Sequence, residues 1–266
     1  MSLSLRSQLL TELGFRHGFS LRTGGVSAGP YDSLNLGRTV GDSAAAVTEN
    51  QLRFAREVGY STGRLYEVTQ VHGAAVAAVD TGVAPELFRA READALVSLA
   101  TGCALGIKVA DCVAVLLADA ETGAVAAAHA GWRGVAADVV GAAVRALAEL
   151  HDVRPENLRA AVFPCIGVAA FEVGDEVAAQ LAAAVGSARV VQQGATLRSP
   201  APRGASTKPH VDLALCVRLQ LARAGLSQQH IETVAGCTFS EPERFFSYRR
   251  DGGVTGRHLA AIVPRC

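Results

Sequence analysis

Apolar residues recur at helical spacing in four stretches and at strand spacing between them. The first stretch follows Asp42 or Ser43, either of which suits an N-cap, and predicts a helix running to about Val58 before Gly59. A second stripe, Val135, Val139, Val140, Ala143, Val144, Leu147 and Leu150, predicts one long amphipathic helix after Arg133. Further helices are expected from about Gly174 to Val185, and from Asp212 to about Ala224, ending at Gly225. From Tyr66 to Ala128, strand-like runs alternate with turns, which indicates a mixed sheet. Extended segments are expected again at Leu158–Ile166, Ile231–Thr238, Phe245–Arg249 and Leu259–Val263. The glycine-dense stretch Phe15–Gly41 reads as loops, and residues 192–210, with several Gly and Pro, as a flexible loop. No repeat, low-complexity tract or linker interrupts residues 1–266, so a single α/β (α+β) domain is expected.

Three residues with metal-binding side chains stand where this pattern changes. The β-branched run Glu67–Gln70 stops at His72, with Gly73 behind it; Cys112 follows the apolar run Ala104–Val109; His129 ends Gly123–Ala128 and precedes the turn Gly131-Trp132-Arg133-Gly134. Strand ends in α/β proteins converge on one rim, where ligands bind. Two imidazoles and a thiolate suit zinc, and three protein ligands leave a fourth position open, as in catalytic sites. Taken singly, each has another reading: a cysteine inside Val109–Leu117 is commonly a small buried hydrophobe, and a lone histidine is commonly bonded locally. His72 and Cys112 are 40 positions apart, and Cys112 and His129 are 17 apart, so no short metal-binding loop joins them. Asp111 stands beside the thiol, and Arg133 sits where a helix N-terminus would meet an anion.

Composition narrows the partners. Twenty-five basic and 25 acidic residues cancel, which removes a general electrostatic case for nucleic acid or an anionic membrane. Arg249-Arg250 reads as a solvated pair. The apolar stretch Val135–Leu150 carries Asp138 and Arg145 and reads as a packed helix, not a membrane span. Six scattered cysteines without a Cys-X-X-Cys pair, and no signal-type segment near the start, point to a cytoplasmic chain with reduced thiols. Nothing in the sequence specifies an oligomeric state.

Several blocks stand in a recognisable order. Arg22-Thr23-Gly24-Gly25-Val26-Ser27, Tyr31–Gly37, Gln70-Val71-His72-Gly73, Ala93-Asp94-Ala95, Asp111-Cys112 and His129-Ala130-Gly131-Trp132-Arg133-Gly134 are followed by Phe171–Gly174, Phe245–Arg250 and Thr255-Gly256-Arg257. Over nearly its whole length the chain resembles the YfiH/YlmD-like laccase-domain family, whose members are also called polyphenol oxidases, purine nucleoside phosphorylases or peptidoglycan editing factors. The resemblance implies a single-domain sandwich of mixed β-sheet and helices. It also implies a metal, most often Zn2+ and alternatively Cu2+, held by the residues matching His72, Cys112 and His129. Two positions depart from the family's pattern. Gln51 follows Asn50 where an arginine is usual, so that Arg53 or Arg22 would have to serve a phosphate, and the bulky Phe163 would reshape a pocket wall.

Three chemistries follow from the resemblance. The first is phosphorolysis of adenosine, inosine, guanosine or methylthioadenosine, with adenosine deamination beside it. Phosphate would sit against Arg133, and Asp111, Asp94 or Glu172 would move the proton that deamination requires. The second is amide hydrolysis of peptidoglycan precursors, with Cys112 as nucleophile and His129 or His72 as base. The third is copper-dependent phenol oxidation. The chain argues against the last: it has seven histidines and no His-X-His pair, and its one methionine is Met1. A non-enzymatic metal-binding scaffold would instead show a closed site with four protein ligands. Of the remaining side chains, Cys165 and Cys237 are expected in the core or at a cavity wall. His17, His151, His210, His230 and His258 are expected at the surface or bonded locally, with His210 on a loop over the site.

Overall fold

A computed structural model describes residues 2–193 and 208–265. Its strands are β1 (Ser4–Leu5), β2 (His17–Ser20), β3 (Leu65–Tyr66), β4 (Val76–Ala78), β5 (Ala95–Ser98), β6 (Ala104–Val109), β7 (Val113–Asp119), β8 (Val125–Ala130), β9 (Leu158–Val162), β10 (Val191–Gln193), β11 (Pro209–Val211), β12 (Ile231–Thr233) and β13 (His258–Ile262). Its helices are α1 (Gln8–Glu12), α2 (Ala44–Val58), α3 (Pro85–Phe88), α4 (Trp132–Ala136), α5 (Val139–His151), α6 (Asp175–Val185) and α7 (Leu213–Arg223).

The strands form a five-stranded sheet in the order β1-β2-β13-β6-β3, a six-stranded sheet in the order β12-β9-β7-β8-β5-β4, and a two-stranded ribbon, β10-β11. Both large sheets mix parallel and antiparallel pairs. Alternation along the strands determines how the layers stack. Leu105, Ile107 and Val109 of β6 meet Ala114, Leu116 and Ala118 of β7 in a core between the two sheets. Val113, Val115 and Leu117 of β7 face the opposite way, into a core with α5 and α7. On the outer face of the five-stranded sheet, Leu259 and Ala261 pack against Phe54 and Val58 of α2. The order of layers is therefore helix, sheet, sheet, helices. Because both faces of β7 and β8 are covered, every residue of these strands is buried.

Ser43 caps α2 through its side chain and Gly59, at φ 90°, ends it, as expected. Asp212 caps α7 in the same way. Three expectations are corrected. The long helix after Arg133 is two helices, α4 and α5, because Ala137 and Asp138 break it, Asp138 at φ 61°. Phe245–Arg249 forms turns instead of a strand, since Arg249 N–H and Phe246 N–H bond side chains, Asp111 Oδ2 and His258 Nε2. The loop expected over 192–210 lies mostly outside the described residues, and its two described ends pair as β10 and β11. Among the described residues, no helix is long and apolar enough to cross a membrane.

Candidate functional site

Two of the chain's crossings between the two large sheets meet at one end of the sandwich. Residues 110–112 carry the chain from β6 to β7, and residues 67–75 carry it from β3 to β4. Cys112 lies on the first crossing and His72 on the second, while His129 is the penultimate residue of β8, the neighbour of β7. The β-branched run 67–72 is therefore not a strand reaching His72: after Tyr66 it becomes a crossing loop. The ligand atoms of His72, Cys112 and His129 lie within 4.8 Å of one another, the only such grouping among the described residues. The two imidazole rings meet edge to face at 4.7 Å. Gly131 passes beneath them, where a Cβ would come 2.8 Å from His72 Nδ1 and 2.9 Å from Cys112 Sγ. A side chain at Gly131 would press on two of the three ligands.

Asp94, fully buried just before β5, organises the cluster. One oxygen accepts from His129 Nδ1 at 2.7 Å and from His72 N–H at 3.0 Å; the other accepts from Gly73 N–H at 2.6 Å and Val71 N–H at 3.2 Å. The carboxylate thereby fixes the tautomer of His129, leaves Nε2 for the site, and holds His72 in a left-handed backbone at φ 60°. Burial alone would raise the Asp94 pKa, but the bonds from His129 and Gly73 outweigh it and hold the carboxyl below its ordinary value. Burial likewise pushes the Cys112 thiol up, and the adjacent His129, with bonds from both imidazoles, brings it down to about 6. For His129, burial lowers the pKa, but the Cys112 charge and Asp94 raise it to about 9. Each group thus favours the charged form of the other, the imidazole drawing the thiol down and the thiol drawing the imidazole up.

These donors fit a metal: a low-pKa thiolate, an imidazole fixed by a carboxylate, and a second imidazole on a strained loop. Exposure rises from His129 through Cys112 to His72, so one side of the cluster is open. That side faces a cavity of about 760 Å³, lined among others by Arg38, Glu67, Gln70, Arg89, Lys108, Asp111, Phe171, Tyr248, Arg249 and Arg257. This volume lies in the range of small-molecule sites.

The other expected site residues fall on both sides of this boundary. Asp111, at φ 92°, lines the cavity, but its oxygens accept from Thr238 Oγ1 at 2.5 Å and Arg249 N–H at 2.6 Å. Arg133 is exposed, stacked 4.5 Å over the Trp132 ring, and is not among the lining residues. Glu172 is outside the lining as well, 3.5 Å from Lys208. Gln51, buried and outside the lining, bonds Arg38, which lines the cavity; Arg53 is tied to Glu49 and Gly24, and Arg22 to Asp32 and Pro242. Arg38 thus stands in the cavity where Arg53 or Arg22 was expected. Phe163 does not shape the wall: it stacks on Phe19 at 5.5 Å in the core between the sheets.

The Arg249-Arg250 pair is not simply solvated. Arg249 lines the cavity, and the Arg250 guanidinium bonds the carbonyls of Thr238, Phe239 and Phe245. His210 is buried in β11, its Nδ1 3.0 Å from Val168 O, and does not line the cavity. His258 accepts from Phe246 N–H and donates to Ser20 O, and burial drives its pKa down to about 3. Lys108 and Glu67 were not picked out from the sequence. A lone lysine in an otherwise apolar strand run was the available signal for the first.

Comparison with known proteins agrees with this architecture. The model of a family described as multi-copper polyphenol oxidoreductase laccase matches residues 16–265. A purine nucleoside phosphorylase of Streptomyces coelicolor is 42% identical over 252 residues, 94% of this chain and 95% of that protein. One from Deinococcus radiodurans is 39% identical over 255 residues, 95% and 91% of the two chains. The crystal structure of YlmD from Geobacillus stearothermophilus superposes with a TM-score of 0.84 at 31% identity, with all of both chains covered.

Proposed function

Since this chain belongs to the multi-copper polyphenol oxidoreductase laccase family, with purine nucleoside phosphorylases among its relatives, we propose that it is a cytoplasmic, zinc-dependent phosphorylase of purine nucleosides. The observation that carries the reading is the pairing of the His72–Cys112–His129 cluster with a cavity whose wall holds five cationic side chains, Arg38, Arg89, Lys108, Arg249 and Arg257, against two carboxylates, Glu67 and Asp111. Such a wall favours phosphate. His72, Cys112 and His129 would hold the metal, which when bound supplies Lewis acidity at an open coordination position.

The protein's own groups do the rest. The cationic side chains neutralise and orient phosphate, and Phe171 and Tyr248 offer aromatic faces to the purine. A phosphate oxygen bonds to C1′ of the ribose as the C1′–N9 bond breaks. The electron pair leaves with the base, which takes up the proton that the phosphate gives up, and ribose 1-phosphate is the other product. Deamination needs a carboxylate free to shuttle a proton. Asp94 and Asp111 are each hydrogen-bonded through both oxygens, which leaves neither free for that role.

One observation favours a second reading. Cys112, His129 and Asp94 are ordered as nucleophile, base and orienting carboxylate, the arrangement of a thiol hydrolase acting on amides such as peptidoglycan precursors. The test is product chromatography. Inosine, guanosine and adenosine are incubated with zinc-loaded wild type and Cys112→Ala, with and without phosphate. Free base and ribose 1-phosphate formed only by wild type, and only with phosphate, support the proposal. Inosine from adenosine without phosphate would indicate deamination, and no turnover of any nucleoside would move amide hydrolysis to the front.

A further inference from the structure

The five cations of the cavity wall differ in what already neutralises them. Lys108 Nζ lies 2.5 Å and Arg89 Nε 3.5 Å from the Glu67 carboxylate, so both are ion-paired, and the Glu67 charge would repel a phosphate brought against them. Arg38, Arg249 and Arg257 line the same cavity, and among the described residues no carboxylate stands within ion-pair distance of any of the three. Arg249 is engaged otherwise: its Nη1 donates to Glu172 O at 3.0 Å, and its guanidinium stands 5.5 Å over the Phe171 ring. Arg38 and Arg257 remain.

Both are held in place. Arg257 Nη1 donates to Thr255 O at 2.8 Å and Gly256 O at 3.1 Å, which fixes the guanidinium, while Nε and Nη2 bond no group among the described residues and stay open to solvent. Burial lowers the Arg257 pKa and the charges of Asp111 and Cys112 oppose that shift, which puts the guanidinium within electrostatic reach of the metal-type cluster. Asp111 itself bonds Thr238 and Arg249 N–H. The segment carrying Arg38 is tied to the same point. Asn35 Oδ1 accepts from Gly37 N–H and from Arg257 N–H, both at 2.9 Å, and Leu36 N–H donates to Arg257 O at 3.0 Å. Gly37 packs so closely that a Cβ there would come 2.8 Å from Arg257 Cγ. The buried Gln51 accepts from Arg38 Nη2 and anchors this exposed side chain at the cavity.

Resting on the phosphorolysis reading, we infer that Arg257 and Arg38 form the phosphate subsite, while Arg89 and Lys108 serve chiefly as counter-ions of Glu67. A guanidinium presents parallel N–H donors that match two phosphate oxygens, and the two arginines set two positive charges against a dianion. Arg257, partly buried, meets the phosphate on the side of the metal-type cluster, where its charge is less screened. Arg38, exposed, meets it on the solvent side, where phosphate enters. The backbone ties between residues 35–37 and Arg257 keep the two guanidinium stems together, so the subsite exists before phosphate arrives.

Inosine phosphorolysis is assayed in the zinc-loaded full chain and in its Arg257→Met, Arg38→Ala and Lys108→Met variants. Phosphate is varied at saturating inosine, and inosine at saturating phosphate. Calorimetric titration of each protein with sodium phosphate runs alongside. Arg257→Met and Arg38→Ala are each expected to raise KM for phosphate by about 10- to 100-fold, with KM for inosine within about threefold, because each removes a charged hydrogen-bonding group. Lys108→Met is expected to raise it less than either. Arg38 is exposed, so Arg38→Ala decides alone should Arg257→Met fail to fold. A phosphate KM within about twofold of wild type in either folded variant, or a larger rise in Lys108→Met, overturns the inference while leaving the nucleoside reading intact. If wild type cleaves no nucleoside with phosphate, that reading fails and the titration decides. Phosphate binding weakened about tenfold or more in both arginine variants upholds the subsite, and unchanged or absent binding overturns it.

Discussion

Asp94→Asn removes one charge and one acceptor from the centre of the site without changing its shape. The native carboxylate accepts four donors, two on each oxygen: His129 Nδ1 and His72 N–H on one, Gly73 and Val71 N–H on the other. An asparagine keeps a single oxygen, so in either orientation two of those donors face an amide NH₂. At about 1–3 kcal/mol for each stranded donor, the loss of stability is about 2–6 kcal/mol when the amide faces Gly73 and Val71, and about 1–3 kcal/mol when it faces His129 and the ring adapts. If the amide faces His129, the ring re-tautomerises, accepts at Nδ1 and carries its proton on Nε2, the atom the site needs bare. Zinc affinity is therefore expected to fall about 10- to 100-fold. Urea unfolding of the metal-free protein measures the first effect, as a lower midpoint with an unchanged slope. Competition against a chromophoric chelator measures the second. The acid limb supplies a third check. A carboxyl with a depressed folded pKa contributes stability above its unfolded value of 3.8 and loses it as pH falls through the folded value, so the wild-type stability loss below pH 3.8 should be blunted in the variant. Zinc affinity within about twofold of wild type, with stability changed by less than about 0.5 kcal/mol, would refute the role given to Asp94.

Three further outcomes are expected. Gly131→Ala, whose Cβ would press on His72 Nδ1 and Cys112 Sγ, should weaken zinc binding at least about tenfold while retaining the far-ultraviolet spectrum, as checked by chelator competition and circular dichroism. In metal-stripped protein, alkylation of Cys112 should follow an apparent pKa of about 6 and should be suppressed when zinc is restored, which mass spectrometry of the labelled peptide can follow. The buried His258 ring should remain neutral at pH 5 in nitrogen-detected spectra. Because a buried imidazole with a depressed pKa disfavours folding as pH drops below its unfolded value of 6.5, His258 should also contribute to destabilisation between pH 6.5 and 3.

The helices were legible in the sequence wherever caps and stripes agreed, as at Ser43 with Gly59 and at Asp212 with Gly225. The break at Ala137–Asp138 was not, because the apolar stripe continues across it and an aspartate in a left-handed backbone leaves no periodic trace. Phe245–Arg249 reads as a strand by composition, but side-chain acceptors from Asp111 and His258 take its N–H groups and turn the chain. The three metal-type residues were legible as turn-adjacent His and Cys. Their organiser was only partly so: Asp94 was expected as one possible proton carrier, and its bonds to the 71–73 loop depend on strand pairing that spacing does not encode. Arg133 seemed suited to an anion by its place in a Gly-rich turn, but its guanidinium stacks on its own neighbour Trp132, and the cavity takes its cations from four other segments.

A metal-dependent nucleoside site at His72, Cys112 and His129 requires that activity follow zinc occupancy. Zinc titrated into chelator-stripped protein, with inosine phosphorolysis followed at each addition, tests it most directly. The rate is expected to be near zero without zinc, to rise linearly and to stop rising at one equivalent, with Cys112→Ala flat throughout. A stripped protein as active as the reconstituted one, and inactivated only when Cys112 is alkylated, would contradict the metal site and leave the thiol as the reacting group.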